Sequence, residues 1–121
     1  MPPALTRLVL YTHKIDAMAS FYTRHLGYTA QTDPADRIVE LIPPGAGAIL
    51  MLHPAAKGQT AGQVLIKLVF DVADVAGFVT QSAAQGLDFG ALHQADGYVF
   101  AYAKDPAGNS ISISSRAFRE K

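Results

Sequence analysis

Arg7, Val9 and Tyr11 alternate along one side of a run rich in Leu, Val and Thr, and Lys67, Val69 and Asp71 do the same sixty residues later. A guanidinium and an ammonium are the side chains that hold carboxylates and phosphates, the first as a fork of donors and the second as a point charge. Ile49, Met51 and His53 share a side of another short run, and Ser110, Ser112 and Ser114 share a side of the last one. Tyr98, Phe100 and Tyr102 form a fifth such row, a surface on which a flat ligand could stack. Metal chemistry has less to work with. The four histidines, His13, His25, His53 and His93, fall on different segments with no i, i+4 pair, and His53, in phase with Met51, is the best placed of them. A serine nucleophile needs a neighbouring base, and none is visible beside the three serines. With no cysteine there is no thiolate, no Cys-ligated zinc and no disulfide framework.

The elements that must position these residues follow from periodicity and punctuation. Leu5–Thr12 reads as a strand. Asp16 then offers an oxygen to the free amides of a helix start, and Ala17, Phe21 and Leu26 with Met18, Tyr22 and His25 keep helical spacing until Gly27, an αL stop. A polar turn around Asp33-Pro34 leads to strands over 37–42 and 48–53, expected to be antiparallel. Residues 54–63 break the pattern and read as a linker. The order then restarts: a strand over 64–72, Asp74 as a helix cap, a helix over 75–85 stopped by Gly86, and strands near 87–92, 98–104 and 109–115. Strand, capped helix, glycine and a further group of strands thus occur twice, with two strands read in the first group and three in the second, the pattern of an internal duplication. The charged tail 116–121 is expected to fray.

Half of the 121 residues are hydrophobic and 17% are charged, which fits one compact soluble domain, and the helices and strands read above make it an α+β chain of two modules, about 4–53 and 64–115. Ten basic residues balance ten acidic ones, so no net field draws the chain onto nucleic acid or an anionic membrane. No basic-then-apolar leader and no run of about eighteen apolar residues is present, and a cytoplasmic location is expected.

Two segments carry a resemblance. Asp16-Ala17-Met18-Ala19-Ser20-Phe21-Tyr22 with Leu26-Gly27-Tyr28, and Lys104-Asp105-Pro106-Ala107-Gly108-Asn109-Ser110-Ile111, are similar to signatures of the vicinal oxygen chelate superfamily, which includes glyoxalase I, extradiol dioxygenases and bleomycin-resistance proteins. The resemblance spans almost the whole chain and implies paired βαβββ modules forming a curved mixed sheet around a cleft. Both signatures also have plain structural causes: Phe21 and Leu26 can pack a helix on a sheet, and Asp105, Pro106 and Gly108 suit a type I turn. Ala107 departs from the acidic residue common in the family.

Metal-dependent members place a His, Gln or Glu on each of four strands. Counting back fourteen from Phe21 brings the first position to Arg7, the apolar strand brings the second to Met51, and the anchors Val72 and Asp105-Pro106 bring the others to Lys67 and Ser112. Met51 can slip by two to His53. A guanidinium has no lone pair to donate, and two cations repel a divalent ion, so no metal and no cofactor is expected. By strand parity the cleft would carry Arg7, Tyr11, Met51, His53, Lys67, Tyr98, Phe100, Tyr102 and Ser112 as ligand-binding residues, with Leu8, Leu10, Leu50, Leu52, Leu68, Phe70, Ile111 and Ile113 under the helices. These residues point to a metal-independent small-molecule binding protein with a cleft favouring an anionic, partly apolar or aromatic ligand; similarity to bleomycin-resistance proteins implies that it acts by sequestering that ligand, and the resemblance implies a homodimer. Its rival is a lyase, isomerase or dioxygenase of the glyoxalase-like class, using either a displaced metal near His53 or metal-free acid/base chemistry from Lys67 or Tyr102; a module that acts only through protein contacts is a third reading. A structural alternative exists for the cations as well: Arg7 can pair with Asp71 or Glu40, and Lys67 with Asp71.

Overall fold

The computed structural model describes residues 2, 4–62 and 64–120 and contains two helices and two four-stranded mixed sheets. The chain divides into two compact units, Met1–Ala61 and Gly62–Lys121.

In the first unit, strand β1 (Arg7–Thr12) leads into helix α1 (Ile15–Leu26) and then strands β2 (Thr29–Gln31), β3 (Val39–Ile42) and β4 (Ile49–Pro54). The order across the sheet is β1-β4-β3-β2, with β1 parallel to β4 and the other pairs antiparallel. Met18, Phe21 and Tyr22 bury the inner face of α1 against Leu41, Leu50 and Leu52, all almost fully enclosed. Gly27 closes the helix at φ 73°, a left-handed conformation that costs a side chain about 1 kcal/mol or more. The start of α1 differs from expectation. Lys14 is the N-cap, without a side-chain bond, and Asp16 sits inside the first turn, where its charge acts on the helix dipole alone. Strand β2 was hidden in the sequence because three exposed residues carry no alternation.

In the second unit, β5 (Lys67–Asp71), α2 (Val75–Ala84), β6 (His93–Ala95), β7 (Tyr98–Lys104) and β8 (Ser110–Ser114) repeat the plan in the order β5-β8-β7-β6, followed by a short 3₁₀ turn, Arg116–Phe118. Asp74 caps α2 as expected, its Oδ1 accepting from the Gly77 amide at 3.0 Å. A Cβ on Gly77 would stand 2.3 Å from the Asp74 carboxylate, so the glycine inside this helix makes room for its cap. Ile111, Ile113 and Ala101 lie fully buried, with Val75 of α2 as deeply enclosed. The strand expected over 87–92 is instead an irregular segment whose Leu87 and Phe89 drop into the core, and the ladder begins only at His93. The apolar run there marks burial rather than strand pairing. The strand expected from 64 begins at Lys67, leaving Val64, Leu65 and Ile66 exposed. The tail does not fray through Glu120: the amides of Phe118 and Arg119 bond to Ser115 and Arg116 carbonyls, while Lys121 lies outside the described residues.

Residues 54–59 belong with the first unit. The Ala55 amide bonds to the Thr12 carbonyl, Gln59 accepts from the Ala56 amide, and the His13 ring donates to the Gln59 carbonyl at 2.9 Å. No helix among the described residues is long and apolar enough to cross a membrane.

Candidate functional site

On the first sheet, strand parity puts Leu50 and Leu52 toward α1 and leaves Arg7, Val9, Tyr11, Met51, His53 and Glu40 on the other face. Arg7 on β1 reaches across β4 to Glu40 on β3 and forms an ion pair with it, its Nη1 passing 3.9 Å from the Met51 sulfur. The Tyr11 and His53 rings meet at 5.2 Å, and His53 Nδ1 donates to the Pro54 carbonyl at 2.8 Å. A carbonyl only accepts, so that bond places a proton on Nδ1 and turns Nε2 to the far side of the ring.

The second sheet builds a different surface from the same plan. Ala101 packs inward, which turns Tyr98, Phe100 and Tyr102 onto the face away from α2. Their centroids follow one another at 5.9 and 5.4 Å, and His93 on β6 closes against both Phe100 and Tyr102 at 5.2 Å. Lys67 on β5 crosses β8 and sets its Nζ 3.8 Å from the centre of the Tyr102 ring. It makes no pair with Asp71, four residues along the strand on the same face.

The two crossings occupy equivalent positions. Arg7 opens β1, Val9 faces Met51 on the middle strand, and Met51 faces Glu40; Lys67 opens β5, Val69 faces Ser112, and Ser112 faces Tyr102. In each unit a cation from the first strand therefore folds over the middle strand onto the third. A carboxylate receives it in the first unit and neutralises it; an aromatic face receives it in the second and leaves it charged. Ring and ammonium together offer an apolar plane beside an unneutralised positive charge.

Each sequence-derived candidate lies on the face away from its unit's helix: Arg7, Tyr11, Met51 and His53 in the first unit, Lys67, Tyr98, Phe100, Tyr102 and Ser112 in the second. Access differs among them. Tyr11 and Tyr102 are exposed, but Ser112 is only 3% exposed and its hydroxyl points to the Ile113 carbonyl. The small side chain lies beneath the Lys67–Tyr102 crossing, so it contributes to the floor of this surface. Sequence reasoning missed Lys104, His93, Arg116 and Arg119. Lys104 has the phase of Tyr102 and was legible; it donates to Ser110 Oγ at 2.8 Å. The two arginines were not legible, because a tail read as frayed assigns its charges no place.

The four family positions do not suit a divalent metal. They hold a guanidinium bound to Glu40, a thioether, an ammonium over a ring and a hydroxyl turned to a carbonyl. Among the described residues no group of three or more His, Asp or Glu could hold a metal ion.

Comparison with family models matches residues 4–113 to the Glyoxalase/Bleomycin resistance protein/Dioxygenase superfamily. The chain belongs to this superfamily. Among solved structures it is similar to TnmS3, an antibiotic binding protein from Streptomyces sp. CB03234, at 18% identity over 93% of this chain and 94% of that one, with a TM-score of 0.76. It is similar also to a lactoylglutathione lyase from Agrobacterium tumefaciens, at 22% identity over 93% of each chain and a TM-score of 0.70. A superfamily member from Sphaerobacter thermophilus DSM 20745 gives 19% identity, 93% and 97% coverage and a TM-score of 0.74. Comparison with the curated proteins gives no match. A binding protein and a lyase thus share this fold, and the fold alone does not choose between them.

Proposed function

We propose that this member of the superfamily is a metal-independent small-molecule binding protein whose ligand is an anionic, partly apolar or aromatic compound held on the face of the second sheet away from α2. The observation that carries the reading is Lys67 over Tyr102. Among the described residues its ammonium has an aromatic neighbour and no carboxylate partner, whereas the equivalent Arg7 is neutralised by Glu40. A flat acid can stack beside the row from Tyr98 to Tyr102 and place its carboxylate on Lys67, gaining a charge-assisted hydrogen bond. Arg7 then serves the sheet rather than the ligand. The donor chemistry at Arg7, Met51, Lys67 and Ser112 supports recognition without a metal.

An enzymatic alternative rests on one observation in the first unit. His53, with Nδ1 tied to a carbonyl and its ring against Tyr11, is oriented as a base with a phenol beside it. Turnover of an aromatic or carbonyl substrate that disappears in His53→Gln would favour it.

The binding reading is tested by calorimetric titration of metal-analysed protein with 2-naphthoate and 2-naphthamide. Tighter binding of the acid, unchanged by chelator, supports it. Equal affinities, or binding of the acid that vanishes on chelation and returns with a divalent ion, overturn it.

A further inference from the structure

The aromatic row has cations at both ends. At one end Lys67, Ser110 and Lys104 stand opposite one another in register, with Lys67 leaning inward over Tyr102. At the other, the 3₁₀ turn brings Arg116 and Arg119 to Tyr98: Arg116 Nη1 donates to the Tyr98 hydroxyl at 2.9 Å, and the two guanidinium carbons lie 5.1 and 5.7 Å from the ring centre. The carboxylates of the second unit include Asp71, exposed on β5 in the row of Phe100, Asp96 in the β6–β7 turn and Glu120 in the tail. Among the described residues no ion pair joins these three to Lys67, Lys104, Arg116 or Arg119. Fixing two guanidiniums on one ring keeps like charges close, and an anion is a partner that relieves this.

We propose that the ligand carries two anionic groups, one at each end of an elongated aromatic body, with Arg116 and Arg119 forming the second anion subsite. This rests on the binding reading above, in which Lys67 forms the first. The rings between the two ends step by 5.9 and 5.4 Å, a length that calls for two or more rings. Arg116 spends one donor on Tyr98 and keeps four, enough for a bidentate grip on a carboxylate. The bond to Tyr98 holds the guanidinium in place before the ligand arrives.

The probes are stilbene-4,4′-dicarboxylate and stilbene-4-carboxylate, titrated into the full chain as wild type, the double variant R116M/R119M and K67M, each checked for its melt. The dicarboxylate is expected to bind at least about tenfold tighter than the monocarboxylate in wild type, the scale of one charge-assisted contact. R116M/R119M should erase that advantage and leave the monocarboxylate within about twofold. A dicarboxylate that binds no tighter than the monocarboxylate, or that keeps its advantage in R116M/R119M, overturns the second subsite while the binding reading stands. Failure of both acids to bind overturns the two together. Should the double variant unfold, R116K is used: the advantage must shrink, since a lysine cannot make the bidentate grip, and an unchanged advantage counts against the proposal.

Discussion

Removing either member of the Arg7–Glu40 pair should cost little, and the two losses should not add. The side chains are 49% and 35% exposed, so solvent screens the pair and the expected coupling is about 0.5–1 kcal/mol, the upper part of the range for surface ion pairs. The upper part applies because Arg7 is also held against the Met51 sulfur, which limits the rotamers it gives up on pairing. Arg7→Met keeps much of the stem and deletes the charge, and Glu40→Gln keeps the shape. Urea denaturation of wild type, both single variants and the double variant closes the cycle. The coupling should shrink in 1 M salt, where the screening length falls to about 3 Å. A coupling of zero at low salt would refute the structural role assigned to Arg7. So would Arg7→Met lowering affinity for 2-naphthoate while leaving stability untouched, since that would make Arg7 a ligand contact.

Leu52→Ala, at a fully buried site on the central strand, should cost about 2–5 kcal/mol in urea denaturation, and a loss below 1 kcal/mol would contradict the core described here. Burial, and secondarily Arg24, hold the His25 pKa below its ordinary 6.5, so the folded chain takes up a proton less readily than the unfolded one. Stability is then fully present above about pH 6.5 and declines as pH falls below it, and His25→Asn should flatten that limb in melts between pH 5 and 7.5. We expect a homodimer, for which the exposed Leu5, Val64, Leu65 and Ile66 offer apolar surface. Sedimentation showing only a 12.9 kDa species at micromolar concentration would count against it.

Much of the fold was legible because the long strands alternate cleanly. Leu50 and Leu52 lie inside and Met51 lies on the other face, as the period of two requires. Gly27 and Asp74 likewise announced the end of one helix and the start of the other. The three-residue strands β2 and β6 were beyond reach, since neither has enough residues to display a period. Asp16 misled because a capping residue type two places inside a helix looks the same in sequence as one at its edge. For the site, parity found the faces but not the partners. Glu40 lies 33 residues from Arg7, and Tyr102 lies further still from Lys67; only the sheet register brings each onto its cation. The duplication held the clue, because aligning the two units on their register sets Glu40 against Tyr102 and shows that only one cation has an acid to meet.

The central claim is that Lys67, unlike Arg7, keeps its charge for a ligand, and Lys67→Met tests it most directly. In wild type 2-naphthoate should bind more tightly than 2-naphthamide by about 1.5–3 kcal/mol. In Lys67→Met that gap should collapse, the amide should bind nearly as before, and the melt should shift little, because the exposed cation–π contact contributes only about 0.5–1 kcal/mol. Equal loss of affinity for acid and amide, or an undiminished gap between them, would contradict the account.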